Sequence, residues 1–133
     1  LSSLIRANIA YLKGKTTTST TAEKALELGA GVCQDHVHAF LSVSRLLGYN
    51  ARYVSGYLMM DEHIIQDASH AWAEVYLDAI GWVGFDISNG ISPDERYIKL
   101  ATGFDYRDVI PLSGVRQGTG EETISTQIAI SQQ

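Results

Sequence analysis

The chain has 133 residues, with 10 Lys and Arg against 15 Asp and Glu and a formal net charge of −5. Hydrophobic residues make up 45% and charged residues 19%, the balance of a chain that folds on one core, so a single domain over residues 1–133 is expected. The acidic balance excludes the cationic face a nucleic-acid binder or basic membrane-surface protein needs, no stretch nears the ~18 apolar residues of a membrane span, and a lone cysteine, Cys33, excludes an internal disulfide and a thiolate zinc cage.

The chain opens on Leu1, as a piece of a longer protein with an upstream partner domain would. LSSLIRANIA has too short an apolar core for a signal peptide. Residues 2–12 place Leu4, Ile5, Ile9 and Leu12 near helical spacing. The Thr/Ser-rich run 14–21 reads as a loop, and Thr21 is a natural cap for a short helix over 22–28, ended by Gly29 and Gly31. Val37, Phe40, Leu41 and Leu47 form a stripe, which predicts a buried helix over 33–47 stopped by Gly48, with Cys33 in its first turn.

After Tyr49 the period changes. Residues 51–59 are β-branched and aromatic, and 61–67 form a polar stretch that reads as an exposed loop or lid. Residues 70–77 alternate, with Ala71, Ala73, Val75 and Leu77 on one side and His70, Trp72, Glu74 and Tyr76 on the other. Residues 78–81 predict a turn, 82–87 the return strand, 88–95 a loop, and 96–103 and 122–130 further strands. Helices lead and antiparallel strands follow, which is the order of an α+β fold.

A lone cysteine is often an inert core thiol. At the start of a helix, however, unpaired N–H groups and the positive end of the dipole favour thiolate, the nucleophilic form. Gly31 leaves room for a substrate backbone to approach. A thiol nucleophile needs a base, and there are four histidines. His36 lies beside Cys33 on the same helix, His38 points away, His63 lies in the polar stretch, and His70 opens a strand on its non-core face. A hairpin centred on Ala79 sets residue 70 opposite 88. Asp86 is then its same-face diagonal neighbour, able to orient an imidazole. Val83, Phe85 and Ile87 point to the core; Trp82, Gly84 and Asp86 share a face with His70 and Trp72, so both tryptophans are candidate cleft walls. The Cys33 backbone N–H and the Gln34 amide are candidate oxyanion donors. Asp35 reads as a structural first-turn acid, and Asn89 and Gly90 as turn residues. Two other readings stand beside this one: a zinc site from Cys33, His36, His63 and His70, and a non-catalytic interaction module.

GVCQDH (31–36), SHAWAEVYL (69–77) and GWVGFDISNG (81–90), in that order, resemble the three signatures of the transglutaminase-like superfamily, within the papain-like class of cysteine hydrolases and acyltransferases. ARYVSGYL (51–58) and DERYIKLATGFDYRDVIPLSGV (94–115) extend the likeness over roughly residues 21–116. The resemblance implies a papain-like core with N-terminal helices packed on an antiparallel sheet. It implies Cys33 as nucleophile, His70 as base and Asp86 as its orienter, acting on protein or peptide amides through a thioester. It is nearest to small bacterial members, in which a β-rich domain often precedes this one. No cofactor, metal, nucleic acid or membrane partner is expected, and no EF-hand-like run of acids is present. A reactive lone thiol suits a reducing compartment such as the cytoplasm.

Overall fold

The computed structural model describes residues 1–59, 65–66, 69–110 and 128–129. Helix α1 (Ser2–Asn8) leads into a two-residue strand β1 (Ala10–Tyr11). Helix α2 (Ala22–Leu28), strand β2 (Ala30–Gly31) and the long helix α3 (Cys33–Leu46) follow. Then come β3 (Ala51–Leu58), β4 (Ile65–Gln66), β5 (His70–Leu77), β6 (Gly81–Phe85), β7 (Tyr97–Gly103), a 3₁₀ turn (Tyr106–Val109) and β8 (Ile128–Ala129). The main sheet has the order β6-β5-β3-β7 with every pair antiparallel. The α+β architecture, with leading helices laid on an antiparallel sheet, is as expected.

The expected helix over 2–12 ends at Asn8. Ile9 turns extended (φ −125, ψ 99), and β1 pairs in parallel with β2, Tyr11 opposite Gly31. A seven-residue helix has little stability of its own, so tertiary pairing decides where it stops. Ile5 and Ile9 are buried while Leu4 and Leu12 are exposed, so half of the expected stripe faces solvent. Thr21 caps α2 as predicted, its hydroxyl accepting the Lys24 N–H at 3.2 Å. Beyond α3, Gly48 takes φ +90, a left-handed turn that glycine adopts without strain.

Helix α3 lays Val37, Phe40 and Leu41 on Tyr53 of β3 and Ala71, Ala73 and Val75 of β5. Each fully buried leucine or phenylalanine in such a core stabilises by about 1.5–3 kcal/mol. The β5–β6 register pairs Val75 with Val83 and Tyr76 with Trp82, the register expected for a hairpin centred on Ala79. Ile87 is buried and Phe85 stacks on Phe40 at 5.3 Å, so the expected core parity holds. Strand β6 stops at Phe85, short of the expected Ile87, because Asp86 pairs with Ile91 across a tight loop.

The other face of the sheet is more buried than alternation suggests. Trp72 is 3% and Glu74 7% exposed. Tyr97 from β7 covers Trp72, while Arg52 and Lys99 close on Glu74 at 3.2 and 3.1 Å. Of the expected loop at 61–67, residues 61–64 and 67 lie outside the described residues, and 65–66 form β4, paired with β8. Residues 122–127 and 130 of the last expected strand also lie outside them.

Candidate active site

The position of Cys33 is set by what precedes it. Cys33 is the first residue of α3 and is half-buried. Val32 precedes the helix in extended conformation, and its N–H is accepted by Asp35 Oδ2 at 2.8 Å. The same oxygen accepts the Thr16 hydroxyl at 2.6 Å, tying the Thr-rich loop to the helix start. Asp35 is thus the structural first-turn acid expected. Gly31 has a different role from the expected one. A Cβ there would lie 2.7 Å from both Cβ and Oδ2 of Asp35, so the space belongs to the capping carboxylate and not to a substrate.

His70 opens β5 and pairs opposite Gly56 of β3. Its Nε2–H donates to Asp86 Oδ2 at 2.7 Å, and Cys33 is near enough to act on the protonation of the ring. Burial, the largest influence, disfavours the charged ring. The hydrogen bond to Asp86, its charge and the neighbouring Cys33 outweigh it and push His70 up to about 9. Asp86 is 1% exposed. Burial opposes its ionisation, yet donors from His70, Tyr97 and Asn89 hold it down at about 2. A buried carboxylate with several donors is stable as an anion.

The structure therefore brings Cys33, His70 and Asp86 together, and separates other residues from them. Trp72 lies beside the site, its ring 6.2 Å from that of His70. Trp82 shares a pocket on that face of the sheet with Trp72 and Tyr97, but at a distance from His70. It pairs with Tyr76, six residues along β5 from His70, about 20 Å at strand rise, and stacks under the Arg52 guanidinium at 4.0 Å. The Gln34 amide donates to the Thr18 carbonyl at 3.1 Å, so it anchors the Thr-rich loop instead of serving as an oxyanion donor.

His36 is 1% exposed, with both ring nitrogens engaged. Nε2–H donates to the Ile9 carbonyl and Nδ1 accepts from Ser88, each at 2.8 Å. It holds α3 to the end of α1 and is unavailable as base or ligand, which removes it from the zinc set weighed above. His63 lies outside the described residues, and among the described residues no cluster of three His, Cys, Asp or Glu could hold a metal ion. His38 accepts the Tyr106 N–H at 3.3 Å and stacks on Tyr53, away from His70.

Three residues that sequence reasoning missed stand at the site. Tyr97 donates its hydroxyl to Asp86 Oδ2 at 2.6 Å, and Asn89 donates both its side-chain and backbone N–H to the same carboxylate. Tyr11, placed by the β1–β2 ladder opposite Gly31, is half exposed. Its phenol is raised by burial first and then by the charges of Cys33 and Asp86, which marks it as a neighbour of both. The Asp86-to-Asn89 spacing, typical of a side chain that bonds its own turn, was the available signal for Asn89. Tyr97 and Tyr11 had none, since their placement depends on long-range strand pairing.

The model of the transglutaminase-like superfamily matches residues 1–87. The chain belongs to that superfamily. An uncharacterised protein of Mycobacterium leprae is 34% identical over 131 residues, 95% of this chain and 46% of that protein. One of Mycobacterium tuberculosis is 37% identical over 134 residues, covering 93% of this chain and 43% of the relative. The chain therefore spans less than half the length of these curated relatives. Among solved structures, a proposed cysteine protease from Cytophaga hutchinsonii superposes with a TM-score of 0.76 at 26% identity, over 99% of this chain and 44% of that one. The superfamily match ends just beyond Asp86, so Asn89 and Tyr97 lie outside it. No helix among the described residues is long and apolar enough to cross a membrane.

Proposed function

We propose that this superfamily domain is a thiol hydrolase or acyltransferase acting on peptide or glutamine amides, with Cys33 as nucleophile, His70 as general acid and base, and Asp86 orienting His70. One observation carries the reading: the His70 ring is held at 2.7 Å by a buried Asp86, with Cys33 near enough to act on its protonation. In the first half-reaction the Cys33 thiolate adds to the amide carbonyl carbon. The C–N bond then breaks, the departing amine takes the proton from the His70 imidazolium, and the acyl group remains on sulfur as a thioester. In the second half, water or an amine attacks the thioester while His70 takes its proton. The C–S bond breaks, releasing an acid or a new amide and restoring thiolate and imidazolium.

The tetrahedral oxyanion needs donors. The Cys33 backbone N–H is one, since the first N–H groups of a helix have no intrahelical acceptor. The hydroxyl of Tyr11, a neighbour of Cys33 and Asp86 that is raised so that it keeps its proton, is the second in this reading. The proposed setting is reducing, where a single thiol stays unblocked.

Intact-mass spectrometry after incubation with a glutamine-containing peptide tests the proposal. A thioester on Cys33 that an added primary amine discharges supports acyl transfer, and one discharged by water alone supports hydrolysis. No adduct, together with iodoacetamide labelling of Cys33 no faster than free cysteine at pH 6, overturns the reading in favour of an interaction module.

A further inference from the structure

Asp86 accepts more hydrogen bonds than orienting a ring requires. Its Oδ2 takes His70 Nε2–H at 2.7 Å, Asn89 Nδ2–H at 2.7 Å and the Tyr97 hydroxyl at 2.6 Å, while Oδ1 takes the Asn89 backbone N–H at 3.1 Å. Asn89 is local, three residues on, and its two bonds fix how the carboxylate is turned. Tyr97 comes from β7, three strands from β6 in the sheet order, at a register set opposite Leu58 of β3. Its ring is already held edge-on against Trp72 at 5.3 Å and lies 6.1 Å from His70. Packing therefore accounts for the ring, and the hydroxyl is left to be explained by its partner.

We propose that Tyr97 is a positioning residue whose hydroxyl shares the Asp86 charge with His70, loosening the hold of the carboxylate on the ring so that His70 is available as a base when the thioester is opened. The proposal rests on the triad reading above and deepens it. Once the acyl group is on sulfur, the Cys33 charge is gone, and Asp86 is the anion in direct contact that keeps a proton on His70. Opening the thioester requires the neutral ring. Three donors on one oxygen divide its basicity, and taking away the phenol strengthens the remaining bond to His70. The titratable groups facing His70 are Cys33 from α3, Asp86 after β6 and Tyr97 from β7, with Tyr11 of β1 near Cys33 and Asp86. Arg96, next to Tyr97, is committed to Asp94 through a fork of 2.8–3.2 Å.

Deacylation isolates the step. Cys33 is acetylated with p-nitrophenyl acetate, and decay of the adduct is followed by intact mass against pH. In Tyr97→Phe the rise of the decay rate moves to higher pH by about 0.5 unit, which slows decay about threefold below that rise. Trp72→Phe, which disturbs the same packing but keeps the hydroxyl, leaves the position of the rise unchanged. A Tyr97→Phe profile that is unmoved or moves to lower pH overturns the proposal, as does an equal shift in Trp72→Phe. Wild-type protein in which Cys33 takes up no acetyl group overturns the triad reading instead. A measurement on unsubstituted protein gives a further check: in [¹³Cζ]tyrosine-labelled protein the Tyr97 resonance must move as His70 loses its proton near pH 9. A resonance that does not move also overturns the proposal.

Discussion

The imidazole of His70 and the carboxylate of Asp86 meet at 2.7 Å, the first 14% and the second 0% exposed at the side chain. An ion pair so shielded is screened little by water or salt. If one partner is removed, the other is left buried without compensation.

Asp86→Asn keeps the shape of the side chain and removes its charge. His70 then falls from its raised value, because the contributions that outweighed burial are weakened. Turnover should drop by about 10²–10⁴ in kcat/KM, the span for losing a properly held general acid–base group. Steady-state kinetics across pH, with circular dichroism to confirm folding, check this.

The same pair sets a window of pH-dependent stability. His70 is raised from 6.5 to about 9, so its contribution is complete below pH 6.5 and is lost as pH climbs through 9. Asp86 is lowered from 3.8 to about 2, so its contribution is complete above pH 3.8 and is lost as pH falls through 2. Urea midpoints should therefore be highest between about pH 4 and 6.5 as far as this pair contributes. The difference between wild type and Asp86→Asn should shrink outside that window.

Gly31→Ala puts a methyl group 2.7 Å from Asp35. Either the carboxylate leaves the Val32 N–H or the helix start shifts, and both move Cys33. A loss of about 1–3 kcal/mol is expected from overpacking, read from the urea midpoint, with slower iodoacetamide labelling of Cys33. Unchanged labelling and stability would mean that the Asp35 cap does not fix the position of Cys33.

His36 and His70 should separate cleanly. His36→Ala leaves the Ile9 carbonyl and Ser88 hydroxyl without their partner and opens a cavity, costing about 2–4 kcal/mol. The labelling rate of Cys33 should change little at temperatures where that variant stays folded. His70→Ala should do the reverse, slowing the labelling of Cys33 to the rate of free cysteine while leaving the fold intact. Differential scanning calorimetry paired with alkylation kinetics distinguishes them.

The two tryptophans should also part. Trp82→Ala removes an exposed cation–π contact at 4.0 Å, worth about 0.5–1 kcal/mol, and should leave turnover unchanged. Trp72→Ala empties a fully buried site beside His70 and should cost about 3–5 kcal/mol together with activity. Melting temperatures and turnover measured side by side decide this.

Much of the site was legible because its determinants are local. Glycine, cysteine and the 3.6-residue stripe mark the start of α3. The tight turn centred on Ala79 fixes a hairpin register in which His70 and Asp86 share a face, since strand alternation leaves only two choices. Trp82 shows the limit of that rule. Parity assigns a face but not a distance along the strand, so it cannot tell a residue near His70 from one six positions away.

By itself the sequence determined the order of elements, the α+β class, the helix that begins at Cys33, and the hairpin that turns Asp86 toward His70. All of these follow from spacing within about 20 residues. The tertiary structure decided that α1 yields to a parallel ladder at Ala10, that His36 is a strut between α1 and α3, and that Tyr97 and Tyr11 reach the site. Those placements rest on pairings between separate segments, β1 with β2, α3 with the end of α1 and β7 with β3, where no periodicity links the partners and only closure of the sheet and core selects them.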